Sequence, residues 1–187
     1  MMYIRRNGII TEYIPAQTAF PEIEFTQDQF HHNGAPVTIK ASRYNASSPK
    51  GLDTDLKAMK KKGINTIYVD YPQPHWFYEA CNTQGMYVID QVNINTPAEA
   101  GNLTMGGTLS NNPAWMQEYI ERAEGTYFRT RNHPCVIGFS TGGPSGNGYN
   151  MQKTYQRLKE LEAIRPIIYP SVDGEWNSDM VLPAPVE

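Results

Sequence analysis

Short apolar runs that alternate with longer amphipathic segments are the feature that most constrains this chain. The apolar runs have the length of buried strands, and the segments between them repeat apolar residues at helical spacing. The alternation predicts strands at 37–42, 64–72, 86–95, 135–140 and 166–172 and helices at 51–63, 74–85, 111–131 and 149–164. Strands that alternate with helices form a parallel sheet with right-handed crossovers, and strands that are apolar throughout are covered on both faces.

About five strands and four helices are too few for an eight-stranded (β/α) barrel. Such a barrel also needs roughly 200 residues or more, whereas this chain has 187. On the pattern alone, an α/β fold with an open doubly wound sheet is the first expectation. Asn33-Gly34 lies between short apolar runs and predicts a β-hairpin. Residues 1–29, interrupted by two prolines, are predicted to form an arm or cap of short edge strands, and residues 30–187 the main domain.

Charge and hydropathy exclude several classes of partner. A net charge of −3 does not suit a nucleic-acid surface, and no apolar run has membrane length. The opening residues lack the apolar core of a signal peptide, which predicts a cytoplasmic chain by default and an extracytoplasmic one if a signal was removed. Cys81 and Cys135 fall in apolar stretches and are expected to be buried free thiols. The 12 tyrosines and 3 tryptophans suit a core and also sugar binding.

The segment TGGPSGNG, residues 141–148, is the most unusual loop. It follows a buried strand, where α/β proteins place their chemistry. It nevertheless lacks the Lys-Ser/Thr ending of a phosphate-binding loop, and Pro144 removes a backbone donor. Ser140 and Ser145 have no adjacent base and are not predicted nucleophiles. A tight strand-to-helix turn is the expected role of the glycines. Since no Cys/His cluster has metal-ligand spacing, neither a metal nor a cofactor is predicted.

Five segments, in order, resemble the catalytic domain of family 2 glycoside hydrolases, the β-galactosidase, β-glucuronidase and β-mannosidase group. They are FHHNGAPVTIKA, DLKAMKKKGINTIYVDYP, FYEACNTQGMYVIDQVNIN, RNHPCVIGFSTGGPSGNG and RPIIYPSVDGEWNSDMV, and they cover roughly residues 25–185. The resemblance implies a partial TIM-type (β/α) barrel rather than a doubly wound sheet. It also implies a truncated domain, because the family's nucleophile lies on strand seven and this chain reaches strand five or six.

The same resemblance places the family's catalytic positions on residues that do not suit the reaction, which needs two carboxyl groups about 5–5.5 Å apart. The family's acid/base is the Glu of an Asn-Glu pair, which aligns with Gly143 and Pro144. The family's strand-three motif, Asp-Glu-x-Asn-x-Glu-x-His, aligns with residues 90–97, where both glutamates are amides and the His is Pro97. In the β-galactosidase branch the second Glu and the His help to bind magnesium, so that site is also expected to be absent.

We therefore predict a degenerate, non-hydrolytic family 2-like domain that binds carbohydrate or forms part of an assembly. Two alternatives stay open: a genuine β-glycosidase completed by another chain or by further sequence, and a folded remnant without a ligand. The candidates for binding sugar at the C-terminal strand ends are Arg43, Asn45, Asp70, Asp90, Asn93, Asn95, Glu175 and Trp176. Asp90 is alternatively a buried hydrogen-bond acceptor, Gln91, Asn93 and Asn95 are alternatively loop caps, and Trp176 is alternatively a cover for the core.

Five apolar strands that curve toward a barrel cannot close it, so two sheet edges and an apolar inner face are expected to be open. Exposed edges and large apolar patches recruit other chains, which predicts a homodimer or larger assembly. The competing expectation is that the first thirty residues fold back as a cap.

Overall fold

The chain is built around one parallel sheet with helices on its outer face. A computed structural model describes residues 2–14, 22–26, 29–98, 101–102, 104–171 and 176–181. The elements in chain order are β1 (Met2–Arg6), β2 (Ile9–Ile14), β3 (Ile23–Phe25), β4 (Phe30–His32), β5 (Ala35–Val37), β6 (Ala41–Arg43), α1 (Leu52–Lys61), β7 (Thr66–Tyr68), α2 (His75–Gln84), β8 (Tyr87–Gln91), α3 (Met116–Thr130), β9 (Val136–Ser140), α4 (Tyr149–Leu161) and β10 (Ile167–Ile168). Short 3₁₀ turns at Leu109–Asn111 and Pro113–Trp115 precede α3.

The strands β6 to β10 lie side by side in chain order, and each neighbouring pair is parallel. A doubly wound sheet reverses its strand order at a switch point, so the doubly wound expectation from the pattern alone is wrong. Sequential parallel order is the arrangement of a (β/α) barrel, and the partial barrel implied by the resemblance is confirmed. The apolar pattern could not separate the two folds because both bury their strands on both faces.

Alternation along each strand divides the sheet's side chains between two apolar cores. The outer core packs strand residues such as Ile67 and Val88 against helix residues such as Leu56. Cys81 and Cys135 belong to it as buried free thiols, as predicted. The inner core packs Phe30 against one residue from each of four strands, namely Tyr68, Ile89, Ile137 and Ile168.

A three-stranded antiparallel sheet, β3–β4–β5, covers the inner face. Its Phe30 is 3% exposed, lies with its ring centroid 4.8 Å from that of Phe25, and meets the Tyr87 ring edge-on at 5.3 Å. Strand β3 belongs to the predicted arm of residues 1–29 and pairs with β4, so the predicted domain boundary falls inside one sheet. Part of the arm therefore folds back as a cap, and the homodimer or larger assembly stays a prediction.

Residues 177–180 run along β10, the last strand of the sheet. The Asp179 backbone N–H donates to the Ile167 carbonyl at 2.8 Å, and the Ile167 N–H donates to the Asp179 carboxylate at 2.7 Å. The Tyr169 N–H donates to the Ser178 hydroxyl at 3.0 Å. These bonds satisfy backbone donors and acceptors that an open strand edge leaves unpaired.

The helix predictions are confirmed, since α1 to α4 all lie within the predicted ranges. Asn112 caps the 3₁₀ turn that leads into α3: its side chain accepts a hydrogen bond from the Ala114 N–H at 3.0 Å. Gly85 ends α2 in the left-handed conformation, with φ of 63°. Among the described residues, no helix is both long enough and apolar enough to span a bilayer.

Two hairpins turn at Asn-Gly pairs with positive φ at both residues. The predicted turn at Asn33-Gly34 is confirmed and connects β4 to β5. A second turn at Asn7-Gly8 connects β1 to β2 inside the predicted arm. The predicted strand 37–42 is in fact the end of β5 and the start of β6, because the chain leaves the cap and enters the parallel sheet between them.

Replacing Phe30 with Ala is expected to lower the free energy of unfolding by about 3–5 kcal/mol, the usual cost of removing a buried Phe side chain. Phe128, which is 50% exposed on α3, is the matched control, and Phe128→Ala is expected to cost less than about 1 kcal/mol. Urea unfolding followed by circular dichroism measures both variants. Equal losses would contradict an inner core centred on Phe30.

Candidate functional site

Polar side chains gather where the parallel strands end. Arg43 is the last residue of β6, Gln91 is the last of β8, and Asp70 follows β7 by two residues. Parallel strands share one carboxyl edge, so these residues lie together with Asn45 and Gln73 from the adjoining loops. We refer to these five residues as the Asp70 cluster.

Hydrogen bonds from three sides hold Asp70. The Asn45 side-chain amide donates to Asp70 Oδ2 at 2.7 Å, and its oxygen accepts from the Asp70 backbone N–H at 3.0 Å. The Arg43 guanidinium pairs with Asp70 Oδ1. Gln91 Nε2 donates to the Asp70 carbonyl at 2.8 Å. The carboxylate therefore has a fixed position at the strand ends.

The ion pair in this cluster contributes little to stability. The side chains of Arg43 and Asp70 are 45% and 37% exposed, and a pair this exposed contributes at most about 1 kcal/mol. The Arg43 guanidinium also lies 4.9 Å from the ring centroid of Tyr68, within the distance of a cation–π contact. Burial raises the pKa of Tyr68, so its hydroxyl stays protonated. These contacts orient Arg43 more than they stabilise the fold.

The cluster continues inward to a buried carboxyl group. Gln73 Nε2 donates to the Asn45 side-chain oxygen at 3.3 Å, and the Gln73 backbone N–H donates to the Tyr78 hydroxyl at 2.8 Å. That hydroxyl donates to Asp90 Oδ1 at 3.0 Å. Asp90 is fully buried and lies on the face of β8 opposite to Gln91, toward α2. Its alternative interpretation, a buried acceptor, matches this position.

Burial raises the pKa of Asp90 to about 7, although the hydrogen bond from Tyr78 acts in the opposite direction. Gln73, which links Asn45 to Tyr78, was not among the predicted site residues. The one sequence signal for Gln73 is its place in the Tyr-Pro-Gln-Pro segment that directly follows a predicted strand.

The glycine-rich turn after β9 packs closely against the loop after β8. The Gly143 N–H donates to the Ile94 carbonyl at 2.7 Å, and the Thr96 N–H donates to the Pro144 carbonyl at 3.1 Å. A Cβ atom on Gly142 would lie 2.9 Å from the Ile94 carbonyl oxygen, and one on Gly143 would lie 3.2 Å from the Asn95 side chain. The turn connects β9 to α4, as expected for its glycines, and it also joins the loop after β8.

The remaining described candidates, Asn93, Asn95 and Trp176, occupy two separate places. Asn93 and Asn95 are exposed on the loop after β8, and the Asn95 side chain lies beside Gly143. Trp176 is 55% exposed, and its ring meets that of Tyr155 on α4 edge-on at 5.8 Å. No contact among the described residues joins Trp176 to the Asp70 cluster. Glu175 lies outside the described residues.

The Asp70 cluster offers hydrogen-bond donors and acceptors but a single carboxylate. Amide groups can donate and accept at the same time, which suits hydroxyl-rich ligands. Among the described residues, no group of three or more His, Cys, Asp or Glu side chains is placed to hold a metal ion. The arrangement is suited to orienting a polar ligand.

Comparison with known proteins establishes the family. Residues 31–183 match the model of the glycosyl hydrolases family 2 TIM barrel domain. The chain belongs to this family. It is 34% identical over 173 residues to a β-galactosidase of Vibrio cholerae serotype O1 and 33% identical over 174 residues to one of Klebsiella pneumoniae. These matches cover 87% and 88% of this chain but 16% of each relative, so the chain spans about a sixth of the length of these β-galactosidases.

Solved structures confirm the fold at low sequence identity. A Ruminococcus gnavus β-glucuronidase in complex with uronic isofagomine superposes with a TM-score of 0.72 at 15% identity, covering 89% of this chain and 32% of that one. A Parabacteroides merdae β-glucuronidase superposes with a TM-score of 0.64 at 16% identity, covering 81% and 21%. Both likenesses show that the described sheet and helices share the fold of part of these proteins.

Gly142→Ala is expected to destabilise the protein by about 1–3 kcal/mol, because the added Cβ would meet the Ile94 carbonyl and the turn would have to shift. Gly125, inside α3 with open space around it, is the matched control. Gly125→Ala is expected to stabilise by about 0.5–1 kcal/mol, because Ala favours a helix. Thermal and urea unfolding measure both. A stabilising effect at both positions would show that the turn is not in close contact with the loop after β8.

Asp90→Asn is expected to change how stability depends on pH. An unfolded Asp titrates near its ordinary pKa of 3.8, whereas the folded Asp90 titrates near 7. Between these values the folded state holds a proton that the unfolded state has lost, so wild-type stability falls as pH rises from about 4 to about 7. The variant lacks this contribution, and its stability relative to wild type should rise across that window. Urea unfolding of both proteins at pH 4.5, 6 and 7.5 measures the difference, and a constant difference would contradict the raised pKa.

Proposed function

We propose that this family 2 barrel domain binds a carbohydrate at the Asp70 cluster without hydrolysing it. The observation that carries the proposal is the organised set of donors and acceptors at the C-terminal strand ends. Arg43 and Asn45 hold the Asp70 carboxylate in place, and the buried Gln73 and Gln91 amides support Asn45 and Asp70 from the protein side. Sugar hydroxyls donate and accept hydrogen bonds together, which is the chemistry that fixed amides and a carboxylate match.

Two features argue against hydrolysis by this domain. A retaining glycosidase requires a second carboxyl group about 5–5.5 Å from the first, and the Asp70 cluster contains one carboxylate, paired with Arg43. Asp90 is buried toward α2 and does not face the cluster. The resemblance to the family also places Pro144, which has no proton to transfer, at the position of the acid/base.

Charge favours a neutral sugar over a uronic acid. The Arg43–Asp70 pair is formally neutral, and the other members of the cluster are amides. A sugar carboxylate would therefore compete with Asp70 for Arg43 rather than meet an unpaired cation. The relatives with the higher sequence identity are named β-galactosidases, which makes galactose and galactosides the first ligands to test.

The 187-residue chain is expected to show no turnover of nitrophenyl β-galactoside, β-glucuronide or β-mannoside, because the acid and the nucleophile of a double displacement are both missing from the cluster. Release of nitrophenol at high protein concentration is the measurement. Turnover that scales with protein concentration and survives repurification would contradict the non-hydrolytic part of the proposal.

Galactose and lactose are expected to bind weakly, in the millimolar range, and to shift the amide signals of residues 43–45, 70, 71, 73 and 91 in ¹H–¹⁵N spectra. Asp70→Ala should abolish these shifts because it removes the anchor of Arg43 and Asn45. Asp53→Ala, which removes an exposed carboxylate on α1, is the control and should leave them unchanged. Glucuronate should bind less tightly than galactose. Shifts that persist in Asp70→Ala, or their absence at high millimolar sugar, would contradict binding at this cluster.

A further inference from the structure

Two histidines from distant parts of the chain face each other at the surface. His75 is the first residue of α2, and His133 lies in the turn before β9, 58 residues later. His75 Nδ1 lies 3.1 Å from His133 Nε2, and the ring centroids are 4.8 Å apart. Neither residue belongs to the Asp70 cluster, and the proposed carbohydrate binding does not use them.

Neighbouring side chains orient both rings. A carboxylate oxygen of Glu79, one turn further along α2, lies 3.1 Å from His75 Nε2. The ring of Tyr78 stacks on that of His133, with centroids 4.7 Å apart and planes 22° from parallel. A histidine that binds a metal through one ring nitrogen normally donates a hydrogen bond from the other to a carboxylate or carbonyl. His75 and Glu79 already have this geometry.

We propose that His75 Nδ1 and His133 Nε2 together bind a divalent transition-metal ion such as Zn²⁺ or Cu²⁺, with water at the remaining positions. Without metal, one ring nitrogen donates a hydrogen bond to the other, and a metal ion takes the place of that proton. Tetrahedral zinc with bonds of roughly 2.0–2.1 Å sets its nitrogen ligands about 3.3 Å apart. The two nitrogens are therefore within a few tenths of an ångström of this separation, and the rings also need to turn so that both lone pairs point at the ion.

The site is expected to be open and exchangeable. Among the described residues, no third His, Cys, Asp or Glu joins the pair, and the His75 side chain is 71% exposed. The N-terminus of α2 disfavours a cation, and the Glu79 carboxylate counters that effect. Imidazole ligands select Zn²⁺, Cu²⁺ and Ni²⁺ over Mg²⁺ and Ca²⁺, which prefer oxygen.

The other two histidines provide a matched control. His31 and His32 are adjacent on β4, so their side chains point to opposite faces of the strand. His32 Nδ1 is also in a hydrogen bond with the Tyr87 hydroxyl at 2.8 Å. This pair is closer in sequence than His75 and His133, yet it cannot chelate one ion.

Titration of the full chain with Cu²⁺, followed by ¹H–¹⁵N spectra, locates the ion through paramagnetic broadening. We expect broadening centred on residues 75–79 and 132–134. In calorimetric titrations with Zn²⁺, His75→Gln and His133→Gln should weaken affinity at least about tenfold, and Glu79→Gln about tenfold as well. His32→Gln should leave affinity unchanged.

His75→Gln is the decisive variant because His75 is exposed and its loss leaves the core intact. Circular dichroism checks that each variant is folded. Unchanged Zn²⁺ affinity in folded His75→Gln would overturn the proposal, as would Cu²⁺ broadening centred on residues 31–32. Mg²⁺ that binds the pair as tightly as Zn²⁺ would also overturn it, since imidazole selectivity would then be missing.

Discussion

Parallel pairing of strands in chain order is the constraint on which the rest of this structure depends. A right-handed crossover after each strand places the helices on the outer face of the β6–β10 sheet. In the described part of the chain, no helix covers the inner face. Tyr68, Ile89, Ile137 and Ile168 would then present a continuous apolar surface to water. The β3–β5 sheet prevents this because its Phe30 fills the concave side. The β3–β5 sheet and the β6–β10 sheet therefore depend on each other to bury their apolar side chains.

The same strand order brings the carboxyl ends of the strands to one edge, and alternation along β8 decides which side chains reach it. Gln91 faces inward and contacts Asp70. Asp90, the preceding residue, points toward α2, where it bonds to Tyr78 and burial raises its pKa to about 7. One step along the strand thus separates a residue that supports Asp70 from one that links stability to pH.

The helices could be predicted because their signals are local. Amphipathic spacing and end residues such as Asn112 and Gly85 act within a turn or two of the helix they mark. Strand order gave no such signal, because strands buried on both faces look alike in an open sheet and in a barrel. The contacts of Trp176 also had no local signal: its ring packs on Tyr155 of α4, and residues 177–180 run along β10. Its part in binding a ligand stays a prediction.

The Asp70 cluster and the histidine pair both bring together residues that are far apart in the sequence, so no local sequence pattern could predict their contacts. Arg43 and Asp70 are 27 residues apart, and His75 and His133 are 58 apart. The candidates Arg43 and Asn45 came from a resemblance to a family and Asp70 from its place after a predicted strand, and the structure brings those three together. No resemblance pointed to the histidine pair. Neither residue type nor spacing predicts that the start of α2 and the turn before β9 meet in the folded chain.

The glycine-rich turn shows how packing limits chemistry at this edge. The absence of a Cβ at Gly142 lets the turn approach the Ile94 carbonyl, and backbone bonds from Gly143 and Thr96 join the two loops. A side chain able to transfer a proton needs space where these loops touch. A side chain added at Gly142 or Gly143 would therefore displace the loop after β8. The proposed binding of a polar ligand does not involve this turn, because the Asp70 cluster is held by contacts at the ends of β6, β7 and β8.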